Sequence, residues 1–366
     1  MFSVVALLIA FLACPTFALP LQSDPGQSAD RAEPAADKIS QLKTKAEAGD
    51  AQAQVDLGRA YDDGNGVKQS DELAAKWYQK AAEQGNPEAQ NILGNMYRAG
   101  RGVDQNKEEA VRWYRKAARQ KYGNAMFNIG TAYYNGDGVS VDDSEAYAWF
   151  VLAQENGSKS ADEAIKRMES TLNSWQIDAG LRRIGDLFTN GVDLPKDYAE
   201  SASWLRKGAE RGDKDAQVLL ANALINSPIP HDYAGARYWC ERAAKQQSPA
   251  GEYCLGVIYE QGVGIEKNPK EATKWYLLAA HWGNARAMES VGRIYASGAA
   301  GKVDRVEAYV WLVRAAAKGD QPALQAAAKL KAEMDKKELA KAEQQIIQAG
   351  IDPKKVNEAL SGGSTK

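Results

Sequence analysis

The chain is poor in the side chains that most chemistry needs. Its 366 residues contain two histidines, His231 and His281, and three cysteines, Cys14, Cys240 and Cys254. None of them forms a CxxC or HExxH pattern, and no Gly-x-Ser-x-Gly nucleophile elbow occurs. No zinc site can be assembled from so few neighbouring donors, and no cofactor or metal is expected. Charge of one sign is also missing. Forty-six basic residues face 48 acidic ones, for a net charge of −2. That balance provides no electrostatic footprint for nucleic acid or anionic lipid. Long hydrophobic runs are absent as well. The longest uninterrupted one considered, Val4 to Leu12, is too short to cross a bilayer.

That short run has another use. Followed by Thr16-Phe17-Ala18, a small-x-small pattern, it reads as a secretion signal occupying 1–18, although no Lys or Arg precedes it. A lipid anchor through Cys14 is the alternative, but Phe11-Leu12-Ala13-Cys14 is a poor lipoprotein motif. Residues 19–37, rich in Pro, Ala, Asp, Ser and Gln, read as an unstructured leader. Export places the mature chain in the periplasm if the source is a Gram-negative cell.

What the chain has is a rhythm. Trp77, Trp113 and Trp149 are 36 residues apart, and Trp204, Trp239, Trp275 and Trp311 continue at steps of 35, 36 and 36. Nineteen residues before most of them lies a glycine: Gly58, Gly94, Gly130, Gly185, Gly256 and Gly292. Ala221 takes this place in the fifth unit, one residue closer to Trp239. Periods of this length signal stacked two-helix units. In the second unit the pattern predicts a helix A from Pro87 to Ala99 and a helix B from Lys107 to Gln120. Pro87 suits a first turn, where its missing N–H has no partner to lose. Leu93 and Tyr97 share one face, and Ala110, Tyr114 and Ala117 form a second apolar stripe. One hairpin cannot bury both stripes alone, so neighbouring hairpins must stack.

Gly64-Asn65-Gly66-Val67, Gly100-Arg101-Gly102-Val103, Gly136-Asp137-Gly138-Val139 and Gly262-Val263-Gly264-Ile265 lie between the two helices of their units. A phosphate-binding Gly-rich loop follows a strand and opens a helix; these follow a helix. The first Gly is read as a left-handed helix cap, the second as part of a tight turn, and the Val or Ile as its anchor.

The pattern A-x3-L-G-x2-Y-x2-G-x-G-V, then A-x2-W-Y-x2-A-A, resembles the Sel-1-like repeat, a relative of the tetratricopeptide repeat. Ala89, Leu93, Gly94, Tyr97, Gly100, Gly102, Val103, Ala110, Trp113, Tyr114, Ala117 and Ala118 carry it in one unit. The resemblance covers about residues 40–330. It implies an all-α, α/α solenoid of about seven such repeats and a scaffold or adaptor that binds another protein. Many bacterial relatives are exported and act in envelope signalling, host contact or the binding of secreted proteins.

Trp149 and Trp204 are 55 residues apart, one period plus an extra helix-sized piece around Ser160–Leu172. Glu145-Ala146-Tyr147-Ala148-Trp149 matches Glu307-Ala308-Tyr309-Val310-Trp311, 162 residues later. At the same offset Gly157 matches Gly319, Met168 matches Leu330 and Ile177 matches Leu339. The closing segment of the solenoid is thus present twice. Two lobes follow, 38–172 with three repeats and a terminal-type helix, and 173–349 with four repeats and terminal helices, then a flexible tail at 350–366. An inserted odd helix breaks the up–down alternation, so the superhelix should reset between residues 157 and 180. The fifth unit replaces its loop with Ser227-Pro228-Ile229-Pro230-His231, a divergent turn or a contact loop.

Cys240 on helix B of the fifth unit and Cys254 on helix A of the sixth lie at similar height around a turn near Gln247. A disulfide is open to them in an oxidising compartment. Cys240 falls in the core column of Tyr78, Tyr114 and Tyr276, and Cys254 in a mixed column with Asp56, Asn128 and Ser290, so two free thiols are equally compatible.

In the related tetratricopeptide solenoids helix A lines the concave surface. Its outward positions, three before, one after and four after the repeat glycine, give Asn91, Asn95 and Arg98 in the second unit. They give Phe127, Thr131 and Tyr134 in the third, and Tyr253, Glu260, Glu289 and Arg293 in the sixth and seventh. Phe127 and Tyr134 are aromatics where solvent is expected, which suggests an anchor for a partner; packing between neighbouring helices A is the alternative. The expected function is a monomeric, non-catalytic exported scaffold, in its sharper form an immunity or regulatory protein of the envelope. The rival reading, a peptidoglycan-binding protein or glycan-acting enzyme, would rest on Glu260 and Glu289.

Overall fold

A computed structural model of the protein describes residues 35–227 and 231–362. The secretion signal, Cys14, most of the leader and Pro228-Ile229-Pro230 lie outside the described residues. Helices alone occur among those described, without a strand. After α1 (Ala35–Glu47) come three antiparallel pairs: α2 (Ala51–Asp63) with α3 (Asp71–Glu83), α4 (Pro87–Ala99) with α5 (Lys107–Ala118), and α6 (Gly123–Asn135) with α7 (Asp143–Glu155). A short α8 (Ala161–Glu169) intervenes. Four pairs follow: α9 (Ser174–Asn190) with α10 (Tyr198–Glu210), α11 (Lys214–Asn226) with α12 (Tyr233–Lys245), α13 (Pro249–Gln261) with α14 (Pro269–His281), and α15 (Ala285–Ser297) with α16 (Arg305–Ala316). The chain closes with α17 (Gln321–Glu333), α18 (Lys336–Gln348) and α19 (Pro353–Gly362).

Local chemistry sets the boundaries. Asp50, Asn86, Asp213, Ser248 and Asn284 cap helices A with side-chain oxygens, and Ser70, Asn106, Asp142, Asp304 and their counterparts do so for helices B. Gly64, Gly100, Gly136 and Gly262 end helices A with φ between 70° and 75°, the left-handed cap that only glycine adopts without strain. The second glycine does more than turn the chain. A Cβ on Gly102 would strike the Asp71 backbone of the preceding unit, and one on Gly138 would strike that of Lys107. These loops therefore stack closely on the neighbouring repeat.

Packing follows the sequence columns. The repeat glycine receives the side chain that lies 20 residues later on its own helix B: Gly58 meets Tyr78, Gly94 meets Tyr114, Gly130 meets Phe150 and Gly256 meets Tyr276. Tyr78, Tyr114 and Tyr276 are fully buried, and desolvation pushes the Tyr114 hydroxyl up to about 12. The tryptophans are covered from outside by cations one turn on: Lys80 lies 4.0 Å from the Trp77 ring, Lys116 3.5 Å from Trp113 and Lys207 3.5 Å from Trp204.

The contacts between neighbouring helices differ at the insertion. Ordinary neighbours are antiparallel, so the start of α4 meets the end of α3, with Gln90 donating to the Ala82 carbonyl. At the insertion, the middle of α9 meets the start of α7. Gly180 of α9 lies on Tyr147 and Ser144 near the start of α7, and Arg183 pairs with Glu145 at 2.5 Å. At the far end of α9, Arg119 from the end of α5 donates to the Gly191 carbonyl at 3.3 Å, and Arg115 pairs with Asp193 at 3.2 Å. The second closing segment repeats this arrangement. Glu307, the counterpart of Glu145, accepts from Gln345, the counterpart of Arg183. The capping boxes Asn173–Gln176 and Asp335–Glu338 are also at matching places.

Two expectations at the chain ends need correcting. Helix α1 starts at Ala35, inside the segment read as an unstructured leader. The region read as a flexible tail carries α19: Ile351 and Val356 pack on the core of the second lobe, and Lys331 donates to Asn357 at 2.5 Å. Pro353 and the glycines drew attention away from an apolar pair spaced to dock a helix.

Candidate functional site

The predicted outward stripe of helix A divides into three groups. In the second unit it is largely turned inward. Asn91 is 7% exposed, because Asn128 of α6 donates to its Oδ1 at 2.8 Å. Asn95 is half-buried and accepts from the Tyr114 hydroxyl at 2.8 Å. Both asparagines serve packing between neighbouring units, so the expectation that they face solvent is corrected. Arg98 is exposed.

The third unit forms a groove. Phe127, Thr131 and Tyr134 follow one another along α6 at helical spacing, and Ala164 and Arg167 of α8 form the opposite wall. Phe150 and Met168 also line this space of about 410 Å³. Phe127 is partly buried with its ring centroid 5.3 Å from that of Phe150, whereas Tyr134 is 45% exposed. Phe127 packs on Phe150 of its own helix B and not on a neighbouring helix A, and Tyr134 is exposed beside the groove. The groove exists because α8 is nine residues long, against 13 for a regular helix A, and fills its place in the inner layer incompletely.

In the sixth and seventh units the stripe is closed by charge. Arg293 donates to both oxygens of Glu260, at 2.6 and 3.1 Å, and lies 3.6 Å from Glu289. Tyr276 donates its hydroxyl to Glu260 at 2.8 Å, and Tyr253 tilts over the Tyr276 ring at 5.5 Å. Burial acts to raise the Glu260 carboxyl, but the hydrogen bonds from Arg293 and Tyr276 outweigh it and hold the group below its usual range. Burial raises the Glu289 carboxyl despite Arg293. A carboxylate saturated by a bidentate guanidinium and a phenol is a poor proton carrier, so this cluster is suited to bridging α13 and α15. Glu289 and Arg293 are also the counterparts, 162 residues on, of Phe127 and Thr131. Charged side chains thus stand where the first lobe has Phe127 and Thr131, but they bridge α13 and α15, whereas the aromatic groove lies between α6 and α8.

Cys240 and Cys254 are both buried and joined by a disulfide that ties α12 to α13, with Cα atoms 5.9 Å apart. Sequence reasoning missed a second groove, of about 500 Å³, where Asp142, Asp143 and Glu145 of α7 face Trp175, Arg183 and Asp186 of α9. Trp175 is 66% exposed, and burial raises the Asp186 carboxyl. This groove depends on how α9 meets the start of α7, for which no single residue is a signal. Among the described residues no group of His, Cys, Asp and Glu is arranged to hold a metal, and no helix is long and apolar enough to cross a membrane.

The sequence profile of the Sel1 repeat matches residues 51–86, 87–122, 123–158, 179–213, 214–248, 249–283 and 285–320. The chain belongs to the Sel1 repeat family. Its seven Sel1 repeats are the helix pairs α2–α3 to α6–α7 and α9–α10 to α15–α16, and α8 falls in the gap between matches. Such repeats mediate protein–protein interaction or regulation. The chain is similar to the Sel1-repeat-containing protein YjcO of Escherichia coli K12, at 28% identity over 34% of this chain and 67% of that one. It is similar to chitin synthase regulatory factor 3 of Schizosaccharomyces pombe, at 34% identity over 29% of this chain but only 12% of that protein. The rat DAP3-binding cell death enhancer 1 matches at 30% identity over 24% of this chain and 17% of its own length. Among solved structures, a protective antigen present in uropathogenic Escherichia coli strains, displaying an SLR fold, aligns at 29% identity and a TM-score of 0.44, covering 85% of this chain and 71% of that one.

Proposed function

We propose that this Sel1 repeat protein is a non-catalytic, exported adaptor that binds another protein on its helix A surface, with the groove between α6 and α8 as the anchor point. The observation that carries the reading is Tyr134, exposed beside an apolar groove at a place where the duplicate segment has Ala296. The fold does not require aromatics there, since its own duplicate does without them. Exposed aromatics over a preformed cavity are the typical anchors of protein interfaces. The saturated state of Glu260 supports a binding role over acid–base chemistry. The disulfide fits an oxidising compartment, and the apolar run Val4–Leu12 fits a secretion signal, which together favour the periplasm. In that compartment the sharper reading is an immunity or regulatory protein that holds an envelope enzyme or effector.

The test is affinity capture from an envelope fraction with the mature chain, in parallel with Tyr134→Ala, followed by mass spectrometry. One stoichiometric protein that is lost with the variant is the expected result. Retention on peptidoglycan with no protein partner would replace this reading with wall binding.

A further inference from the structure

A polar contact recurs in three of the seven repeats; three others place Met126, Leu181 and Met288 at its position, and one places a carboxyl there. Four residues before the repeat glycine or alanine, helix A carries Gln54, Gln90 and Gln217, each at most 5% exposed. Each donates its amide to a carbonyl at the end of the preceding helix B: Ala46, Ala82 and Ala209, at 3.0, 3.0 and 3.1 Å. Each accepts in turn from the glutamine that ends its own repeat: Gln84, Gln120 and Gln246, at 2.7, 3.0 and 3.0 Å. In the sixth repeat this position is Glu252, the matching carbonyl is that of Ala244, and the terminal glutamine is replaced by Trp282. Glu252 is 5% exposed, and its Oε2 has no hydrogen-bond partner. A carboxylate cannot donate to a carbonyl; a carboxylic acid can.

We propose that Glu252 is a proton-operated latch: its neutral form donates to the Ala244 carbonyl in place of the glutamine amide, and its ionisation loosens α13 from α12. Burial raises the carboxyl above its ordinary range, in the direction the latch requires. The charged groups on the surrounding elements are Arg237, Glu241, Arg242 and Lys245 of α12, Lys270, Glu271, Lys274 and His281 of α14, and Arg286, Glu289 and Arg293 of α15. Of these, His281 is the one whose charge bears on Glu252, and it acts in the opposite direction. Since the folded state binds the proton more tightly than the unfolded chain, the latch's contribution is complete below the unfolded carboxyl range. It is lost as pH rises through the raised folded value. The disulfide from Cys240 to Cys254, two residues from Glu252, keeps α12 and α13 together once the latch opens. Helix α13 also carries Tyr253 and Glu260 of the inner stripe, so the latch controls a helix that faces a partner.

The experiment compares thermal unfolding of the full oxidised chain at about pH 5 and about pH 8, spanning the carboxyl and histidine ranges. Wild type, Glu252→Gln, Gln217→Glu and His281→Asn are compared. Glutamine is the residue that makes this contact in the three other repeats, so Glu252→Gln retains the fold. Wild type should lose about 2–4 °C more than Glu252→Gln between the two conditions, and Gln217→Glu should acquire a further loss of similar size. An equal loss in wild type and Glu252→Gln overturns the proposal. So does a loss that persists in Glu252→Gln and disappears in His281→Asn, which would assign the effect to the histidine.

Discussion

Gly185 of α9 lies directly under the Leu205 side chain of α10, so closely that a Cβ at this position would overlap the leucine's branch carbon. In the second closing segment the matching residue is Ile347 of α18, which is 59% exposed and has no helix pair docked on it. The two closing segments share their capping boxes and buried Met168 or Leu330. They differ where the next helix would approach. The first closing segment presents a glycine to the following helix, and the second presents a branched side chain at the matching place.

Gly185→Ile should therefore weaken the docking of α10 on α9. Overpacking of this kind costs about 1–3 kcal/mol. Urea unfolding followed by tryptophan fluorescence should show an earlier transition for the second lobe. Ile347→Ala, at the exposed counterpart, should change stability by no more than about 0.5 kcal/mol. Equal effects at the two positions would remove the explanation.

Periodic elements could be read from the sequence with high accuracy. Pro87 to Ala99 is helix A of the second unit as expected, and the capping role of Gly100 follows from its place after the last apolar residue. Side-chain partners between helices could not be read. Asn91 occupies an outward position by helical phase, yet is buried by Asn128, which lies 37 residues later on the next inner helix. The α6–α8 groove was half legible: Phe127 and Tyr134 marked one wall, but the shortness of α8, which opens the space, had no signal in any residue of α6. The tail helix was missed because Ile351 and Val356 form too short an apolar pattern to outweigh Pro353 and the glycines.

Tyr134→Ala should reduce partner affinity by at least about tenfold, or about 1.4 kcal/mol, while leaving helicity unchanged. The side chain is exposed, so its loss leaves no cavity in the core. Phe127→Ala should reduce affinity too, but with a loss of stability, because the ring packs on Phe150. Calorimetric titration with the captured partner, alongside circular dichroism of each variant, separates the two effects. Unchanged affinity in Tyr134→Ala would move the contact away from this groove.

The disulfide closes a segment whose ends are 14 residues apart in sequence. A cross-link of that span contributes about 3 kcal/mol in the chain-entropy description. Reduction, or Cys254→Ala, should lower the urea midpoint of the second lobe and leave the first lobe unaffected, since α12 and α13 belong to the second. Hydrogen exchange followed by mass spectrometry reads the two lobes separately. A uniform loss of protection across both lobes would mean that they unfold as one unit.

Glu260 helps to distinguish a binding scaffold from a glycan-acting enzyme, because it is one of the two carboxylates, with Glu289, on which the enzyme reading rests. Hydrogen bonds from Arg293 and Tyr276 hold its folded value below that of the unfolded chain. Its contribution to stability is therefore present above the unfolded carboxyl range and is lost as pH falls through the lowered folded value. Glu260→Gln should be less stable than wild type at neutral pH, and the difference should shrink once both forms are neutral, below about pH 4. The pair is partly exposed, with Arg293 half open to solvent, so screening by salt should reduce the difference as well. Thermal unfolding across pH, at low and high salt, tests both statements. In the same preparations, glycan turnover should be absent from wild type and variant alike. Turnover in wild type that Glu260→Gln abolishes would make this ion-paired cluster a catalytic site and overturn the adaptor reading.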